Sequence, residues 1–325
     1  MPELSMVQAL NAALRHCLRE DPRTMVFGED VGALGGVFRV TDGLQREFGS
    51  SRVFDTPLAE SGIVGISVGL AMAGWRPVPE IQFDGFSFPA LDQVLTNLAK
   101  YRGRSRGAYS MPVTLRLPSF GGIGGPEHHS ESPETLYAHT AGLKVVAPSG
   151  AQEAFDLLVL AISDPDPVVF LEPKSRYWAR EEVSLYRASV LPVGRARVVR
   201  SGSHATLVAW GAMVARCLEV AAAAEEDGVS LEVLDLRWLA PLDEDALVES
   251  VSRTGRAVVV HEAPRTAGFG AEVAARLMER CFGSLRAPVL RVTGWDVPYP
   301  AASVEQAYIP SVDRVLMAVQ RVLDA

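Results

Sequence analysis

Cysteine is scarce in this chain. Its three residues, Cys17, Cys217 and Cys281, lie far apart with no CxxC pair. That excludes a disulfide framework and a cysteine-ligated zinc site and leaves core filling as their use. Long apolar runs are missing too. The longest nearly apolar stretch, around Gly62 to Gly74, falls short of the roughly 20 residues that a membrane-spanning helix needs. No charged segment followed by an apolar one opens the sequence, so a cytoplasmic protein with no membrane contact is the expectation. Positive charge is not in excess either. The formal net charge is −8 and the basic cluster KYRGRSR, Lys100 to Arg106, is short and isolated, which argues against nucleic acid as a partner and reads as a solvated loop or a subunit contact.

What is present is material for a substantial core: 325 residues, 48% of them hydrophobic, enough for two domains of common size. Ser5 and Gln8 spell a capping box, and Met6, Leu10, Leu14 and Leu18 follow at helical spacing, which predicts an opening amphipathic helix. Strand-like runs TMVFG, RPVPEIQF, MPVTLRLP, LKVVAP and PVVFLEP then alternate with helix-like stretches such as ALDQVLTNLAKYR and AQEAFDLLVLAISD. That alternation implies a mainly parallel sheet. The rhythm fades from about Tyr177 to Pro192, a segment of mixed charge that predicts a linker. A second set of strands follows, ATLVAWG, SLEVLDLRWL, RAVVVHE and APVLRVTG, with helices from about Val214 to Asp227, Asp243 to Ser252 and Ala271 to Phe282. No short-period repeat is present. The reading is therefore two parallel-sheet α/β domains, residues 1–178 and 194–325, joined by a linker at 179–193.

Within FDTPLAESGIVG, Phe54 to Gly65, Glu60 stands alone among small and apolar residues where a strand gives way to a helix. A buried carboxylate without a cation holds its proton toward neutral pH, which suits cofactor activation. The alternative is a helix-start charge, worth roughly 0.3–1 kcal/mol. The residues of this segment do not separate the two. The stretch GGIGGPEHHSESPE, Gly121 to Glu134, is a glycine-rich loop carrying two histidines, open on its own to readings as a flexible loop, a ligand-approach loop or a lid. GFGAEV, Gly268 to Val273, has the outline of a dinucleotide fingerprint. The third glycine position is Val273 and no acidic residue closes the strand APVLRV, so helix capping is the better reading.

GEDVG at Gly28 to Gly32, GGVFRVTDGL at Gly35 to Leu44, the Glu60 segment, PEIQFDGFSFPALDQ at Pro79 to Gln93, GLKVVAPS at Gly142 to Ser149, EPK at Glu172 to Lys174 and VTGWDVPYP at Val292 to Pro300 occur in one consistent order. Together they resemble the beta subunit of thiamine diphosphate-dependent 2-oxo acid dehydrogenases over nearly the whole chain. The resemblance implies a transketolase-like pyrimidine-binding domain followed by a transketolase C-terminal domain, with thiamine diphosphate as cofactor. It makes Glu60 the carboxylate at N1′ of the aminopyrimidine, dried by Leu58, Ile63 and Val64. Gln82 and Phe86 would sit against that ring, with Leu58 nearby and Glu29 supporting from behind. His129 would stabilise the substrate carboxylate or move a proton during reductive acylation of lipoamide, with His128 accessory.

There are departures. Phe86 stands where the family often has tyrosine, and Glu131 where it has glutamine. The family's magnesium-binding GDG motif is missing, so the resemblance implies that magnesium is ligated by a separate alpha subunit, in an alpha2beta2 heterotetramer serving a lipoyl-bearing dihydrolipoyl transacylase core. It also implies a structural potassium ion at Val113, Ala161, Ile162, Asp164 and Asp166. EPK and the paired histidines favour branched-chain 2-oxo acids (3-methyl-2-oxobutanoate), with pyruvate and acetoin relatives as alternatives.

Overall fold

In the computed structural model, residues 1–185 and 192–325 are described. The strands are β1 (Glu3–Ser5), β2 (Thr24–Gly28), β3 (Val53–Asp55), β4 (Arg76–Glu80), β5 (Thr114–Ser119), β6 (Lys144–Val146), β7 (Val168–Pro173) and β8 (Arg180–Glu182). The second half adds β9 (Arg197–Arg200), β10 (Ala205–Ala209), β11 (Leu231–Asp235), β12 (Trp238–Ala240), β13 (Ala257–Pro264) and β14 (Leu290–Gly294). Among the described residues they form a 7-stranded sheet in the order β12-β6-β7-β5-β4-β2-β3 and a 5-stranded sheet in the order β14-β13-β10-β11-β9. Only the end strands β12 and β9 run antiparallel to their neighbours in these two sheets.

Sequence explains this arrangement. Every residue of β2, β5, β7, β10 and β11 is buried, as expected of parallel strands covered by helices on both faces. The Ser5 capping box forms, with the Ser5 hydroxyl accepting from Gln8 N–H and Gln8 Oε1 accepting from Ser5 N–H. The helix it starts, Met6–Glu20, packs on the helix Ala151–Ser163 through Leu10, Leu14, Phe155 and Leu158. Part of the expected linker is strand: β8 pairs antiparallel with β1. Residues 186–191 of that segment lie outside the described residues. The stretch expected as one helix over ALDQVLTNLAKYR is a broken run, a π turn at Gln93–Leu98 followed by a short helix at Tyr101–Arg104.

The two sheets share apolar packing. Phe120, Val145 and Ala147 of the first half belong to one buried cluster with Trp210, Leu234 and Phe269 of the second. SLEVLDLRWL is not one strand: it turns at Arg237, whose φ is +59°, and β12 crosses to pair with β6 at the edge of the first sheet. The three cysteines are buried.

Candidate functional site

The site grows from the carboxyl ends of β2, β3 and β4. Gly28 closes β2 at φ +154°, and a Cβ there would strike the Glu80 carbonyl of the neighbouring strand. Only glycine lets the chains turn out this closely. The chain then presents Glu29 and Asp30. Asp55, closing β3, accepts from Gly32 N–H at 2.6 Å and ties the two loops together. Five residues on, Glu60 is the first residue of the helix Glu60–Met72 and lies half-buried beside Glu29. Burial, then the charge of Glu60, then that of Asp30 push the Glu29 carboxyl above its ordinary range. Glu29 Oε1 is buried and accepts no hydrogen bond from any described residue. A buried carboxylate oxygen left without a donor suits a ligand that brings donors of its own.

Ile63 and Val64 are buried as expected, whereas Leu58 is 79% exposed. The expectation that Leu58 dries Glu60 is thus corrected for this chain by itself. Leu58 precedes the first turn of the helix and stands out from it, so an apolar surface beside the carboxylates is left without cover.

The next wall comes from β4 and the loop after it. Gln82 Nε2 donates to Asp30 Oδ2 at 2.7 Å and to the Glu29 carbonyl at 3.3 Å, which joins it to the carboxylate corner. Phe83 follows. Its ring centroid lies 5.4 Å from Phe38, 5.7 Å from Phe86 and 4.2 Å from His129, and Phe86 is 5.1 Å from the same imidazole. Edge-to-face packing of this kind fixes ring orientation. His129 Nδ1 lies 2.7 Å from the Glu127 carbonyl. A carbonyl only accepts, so Nδ1 carries the hydrogen and Nε2 is the atom left to exchange a proton or bind an anion. His128 is exposed at φ +66°, and its carbonyl passes so close to Gly85 that a Cβ there would overlap it.

Beneath the aromatic wall lie two buried ion clusters that motif reading did not find as such. Arg116 on β5 donates from Nε to Glu172 Oε1 at 2.7 Å, from Nη2 to Glu172 Oε2 at 3.0 Å and from Nη1 to Glu80, and Tyr177 adds its hydroxyl to Glu172 at 2.6 Å. Lys174 pairs with Asp84, both fully buried, and Asp84 also accepts from Gly85 N–H at 2.8 Å. Burial outweighs the lysine and pushes the Asp84 carboxyl up to about 6. The EPK motif therefore supports the floor of the site. The signal was available as charged residues inside otherwise apolar strands.

The glycine-rich loop leaves β5 and is held by the second half of the chain. Gly121 N–H donates to Glu262 at 3.0 Å, and Gly122 and Gly124 N–H donate to the two oxygens of Glu305 at 2.9 Å each. Between this loop and residues 297–302 runs a cleft of about 860 Å³ lined by His128, Glu131, Tyr299 and Tyr308 among others.

Of the residues expected to hold potassium, Ala161 and Ile162 end the helix Ala151–Ser163, Asp164 and Asp166 follow it and Val113 precedes β5, and cationic side chains and backbone N–H groups reach their oxygens. Arg76 donates to the Ile162 carbonyl at 2.9 Å, Lys144 lies 2.6 Å from Asp164 Oδ1 and 3.1 Å from Asp166 Oδ2, and Arg102 pairs with Asp166. Val113 and Ala161 carbonyls accept from Val168 and Asp164 N–H. Gly268 of GFGAEV is the N-cap of the helix Phe269–Cys281, in accord with the capping reading.

A family model for the pyrimidine-binding domain of transketolase matches residues 2–178, and one for the transketolase C-terminal domain matches residues 194–315. The chain therefore belongs to the transketolase-like class, whose members depend on thiamine diphosphate. A split-gene transketolase, described as an inactive beta4 tetramer, has the same fold, with a TM-score of 0.82 and 24% identity over 99% of this chain and 98% of that one. The chain is 57% identical to the 3-methyl-2-oxobutanoate dehydrogenase subunit beta of Mycobacterium tuberculosis, over 98% of this chain and 92% of that protein. It is 56% identical to the pyruvate dehydrogenase E1 component subunit beta of Leifsonia xyli, over 98% and 95%. The 2-oxoisovalerate dehydrogenase subunit beta of Pseudomonas aeruginosa is 44% identical over 99% and 95%. The chain is a member of the 2-oxo acid dehydrogenase beta-subunit family. No helix among the described residues is long and apolar enough to cross a membrane.

Proposed function

We propose that this chain supplies the aminopyrimidine half of a shared active site for oxidative decarboxylation of branched-chain 2-oxo acids, with 3-methyl-2-oxobutanoate as the representative substrate. The observation that carries this reading is the Glu29–Glu60 corner. It is a carboxylate pair in which the buried Glu29 Oε1 accepts no hydrogen bond from any described residue, near the Gln82–Phe83–Phe86 wall and the exposed Leu58. An aminopyrimidine brings the ring nitrogen and exocyclic amine that such a corner accepts. Glu60 would hold the proton at N1′, Glu29 would keep the corner negative, and Gln82, Leu58 and Phe86 would meet the ring. Thiamine diphosphate, when bound, supplies the carbon nucleophile that attacks the oxo group of the substrate. His129, packed on the same wall, would meet the substrate carboxylate through Nε2 or move a proton there as the acyl group passes to lipoamide.

The open face beside Leu58 is the place for an alpha subunit that brings magnesium and the diphosphate half of the site. Two alpha and two beta chains would form the working unit in the cytoplasm, delivering acyl groups to a lipoyl-bearing transacylase core. A potassium ion at the turn after Ser163 would have to share its oxygens with Arg76 and Lys144; a rise in thermal midpoint with potassium chloride over sodium chloride would support it.

The test is to co-purify the chain with its alpha subunit and measure thiamine- and magnesium-dependent decarboxylation of 3-methyl-2-oxobutanoate against pyruvate with an artificial electron acceptor. Preference for the branched acid supports the proposal. Preference for pyruvate retains the half-site and changes the substrate; identities of 57% to a branched-chain relative and 56% to a pyruvate relative do not separate the two. Full turnover by a Glu60→Ala complex would instead make this an assembly subunit.

A further inference from the structure

His129 sits on a loop with no regular secondary structure from Gly121 to Pro133, yet its ring is packed on two phenylalanines. Something must hold the loop there, since ordering a flexible segment costs about 1–2 kcal/mol per residue. The first residues after β5 show what does. Gly122 and Gly124, at φ +87° and +63°, turn their N–H groups onto one carboxylate, that of Glu305, one N–H to each oxygen at 2.9 Å. The Tyr299 hydroxyl donates to Glu305 Oε1 at 2.7 Å and accepts from Gly122 N–H at 3.3 Å, and so fixes the carboxylate against the turn. Glu305 is itself buried. Gly121 N–H goes to Glu262, whose carboxyl burial pushes up to about 7. At Gly121 a Cβ would overlap the Tyr299 hydroxyl. Both carboxylates belong to the second half of the chain and lie 141 to 183 residues away from the N–H groups that they accept. Backbone N–H groups bound to a carboxylate are stronger than neutral pairs, which suits a clasp on an otherwise mobile segment.

We propose that Glu305, oriented by Tyr299, is a positioning residue for His129: its carboxylate clasps the glycine turn from the second half of the chain and so sets where the imidazole stands on the Phe83–Phe86 wall. The inference rests on the reading of His129 given above. It assigns to the second α/β unit a direct part in the chemistry beyond carrying subunit contacts. A shift of about 1 Å in a reacting group is enough to cost on the order of 100-fold in rate.

The experiment uses the complex with the alpha subunit and compares Glu305→Ala, His129→Ala and the double variant, in lipoamide-dependent acyl transfer and in decarboxylation with an artificial acceptor. The expected result is that Glu305→Ala slows lipoamide-dependent turnover about 10- to 100-fold, and that the double variant is no slower than His129→Ala. Limited proteolysis should cut Glu305→Ala between residues 121 and 130 faster than the unaltered complex. Multiplying losses in the double variant would overturn the clasp as a device acting through His129, because a separate or general structural defect adds to the histidine's loss. Unchanged turnover in Glu305→Ala beside a slow His129→Ala would overturn the clasp and leave the histidine's role standing. A silent His129→Ala would overturn the reading of the histidine, and with it the purpose of the clasp. If Glu305→Ala fails to assemble, Tyr299→Phe serves in the same cycle. It keeps the carboxylate, removes one bond to it, and is expected to slow lipoamide-dependent turnover several-fold in a background with His129 and not at all in one without it.

Discussion

Replacing Arg116 by methionine removes the guanidinium that lies between Glu80 and Glu172 on three adjacent strands. The side chains of Arg116, Glu80 and Glu172 are 0%, 5% and 0% exposed, so neither water nor salt compensates the lost charge. Breaking a buried ion pair by removing one partner costs about 3–5 kcal/mol. The two bonds from Arg116 to Glu172, at 2.7 and 3.0 Å, reach that range alone at about 1.5–3 kcal/mol each. The loss depends on pH in a defined direction. Burial holds the Glu80 carboxyl above its ordinary 4.5 even with Arg116 present, and removing the cation raises it further. A carboxyl whose folded pKa is raised keeps its contribution below the unfolded value and loses it as pH climbs through the folded value. The deficit of Arg116→Met is therefore greater at pH 8 than at pH 5. The assay is the apparent thermal midpoint of the complex with the alpha subunit. At about 2–4 °C per kcal/mol for a domain of this size, the expected fall at pH 8 is about 6–20 °C. Adding Glu80→Gln and Glu172→Gln to Arg116→Met should restore most of it and flatten the pH dependence. A fall under about 2 °C, or one equal at both pH values, would refute the reasoning.

Glu60→Gln is expected to lower turnover by about 100-fold or more while the complex with the alpha subunit still elutes at its normal size, since a proton-holding group contributes about 10²- to 10⁴-fold; normal turnover refutes its role. Glu29→Gln removes a carboxyl whose folded pKa is raised, so it should leave the thermal midpoint unchanged near pH 4 and raise it at pH 8. Glu134 is fully buried, and burial pushes its carboxyl up to about 8 although its own backbone N–H and the Trp210 side chain favour the ionised form. Glu134→Gln should stabilise by a few kcal/mol at pH 9 and little at pH 5, because the ionised form carries the penalty; equal midpoints at both pH values would refute that. Ile66→Arg, on an apolar position 57% exposed along the Glu60 helix, should abolish co-purification with the alpha subunit without altering the circular dichroism of this chain; retained co-purification places that partner elsewhere.

Strands of largely apolar sequence, TMVFG and PVVFLEP among them, were legible because a strand buried on both faces has little room for polar residues. The pairing of β1 with β8 was not, since three-residue strands carry no periodicity. Nor was the passage of Trp238–Ala240 into the first sheet, because β11 and β12 follow each other in one strand-like stretch and only the left-handed turn at Arg237 divides them. At the candidate site, Glu29, Gln82, Phe86 and His129 were expected from motifs, and the structure brings Gln82 to Glu29 and Phe86 to His129. Phe83, which links the two pairs, went unnoticed beside Gln82. Glu262 and Glu305 left no local signal at all: each is an ordinary acidic residue in its own segment, and what matters is the distant glycine N–H groups that fall on it.

The placement of β12 bears on how the chain is made. On the ribosome, the edge of β6 has no strand to cover it until Trp238–Ala240 emerges, long after the rest of the first sheet has been synthesised. During that interval the nascent protein carries a bare β-edge, the feature that recruits other chains into aggregates. A message truncated between the two sheets would leave that edge permanently bare, and a gene split there would place the covering strand on another polypeptide. For expression, this argues for slow synthesis at low temperature of one uninterrupted chain.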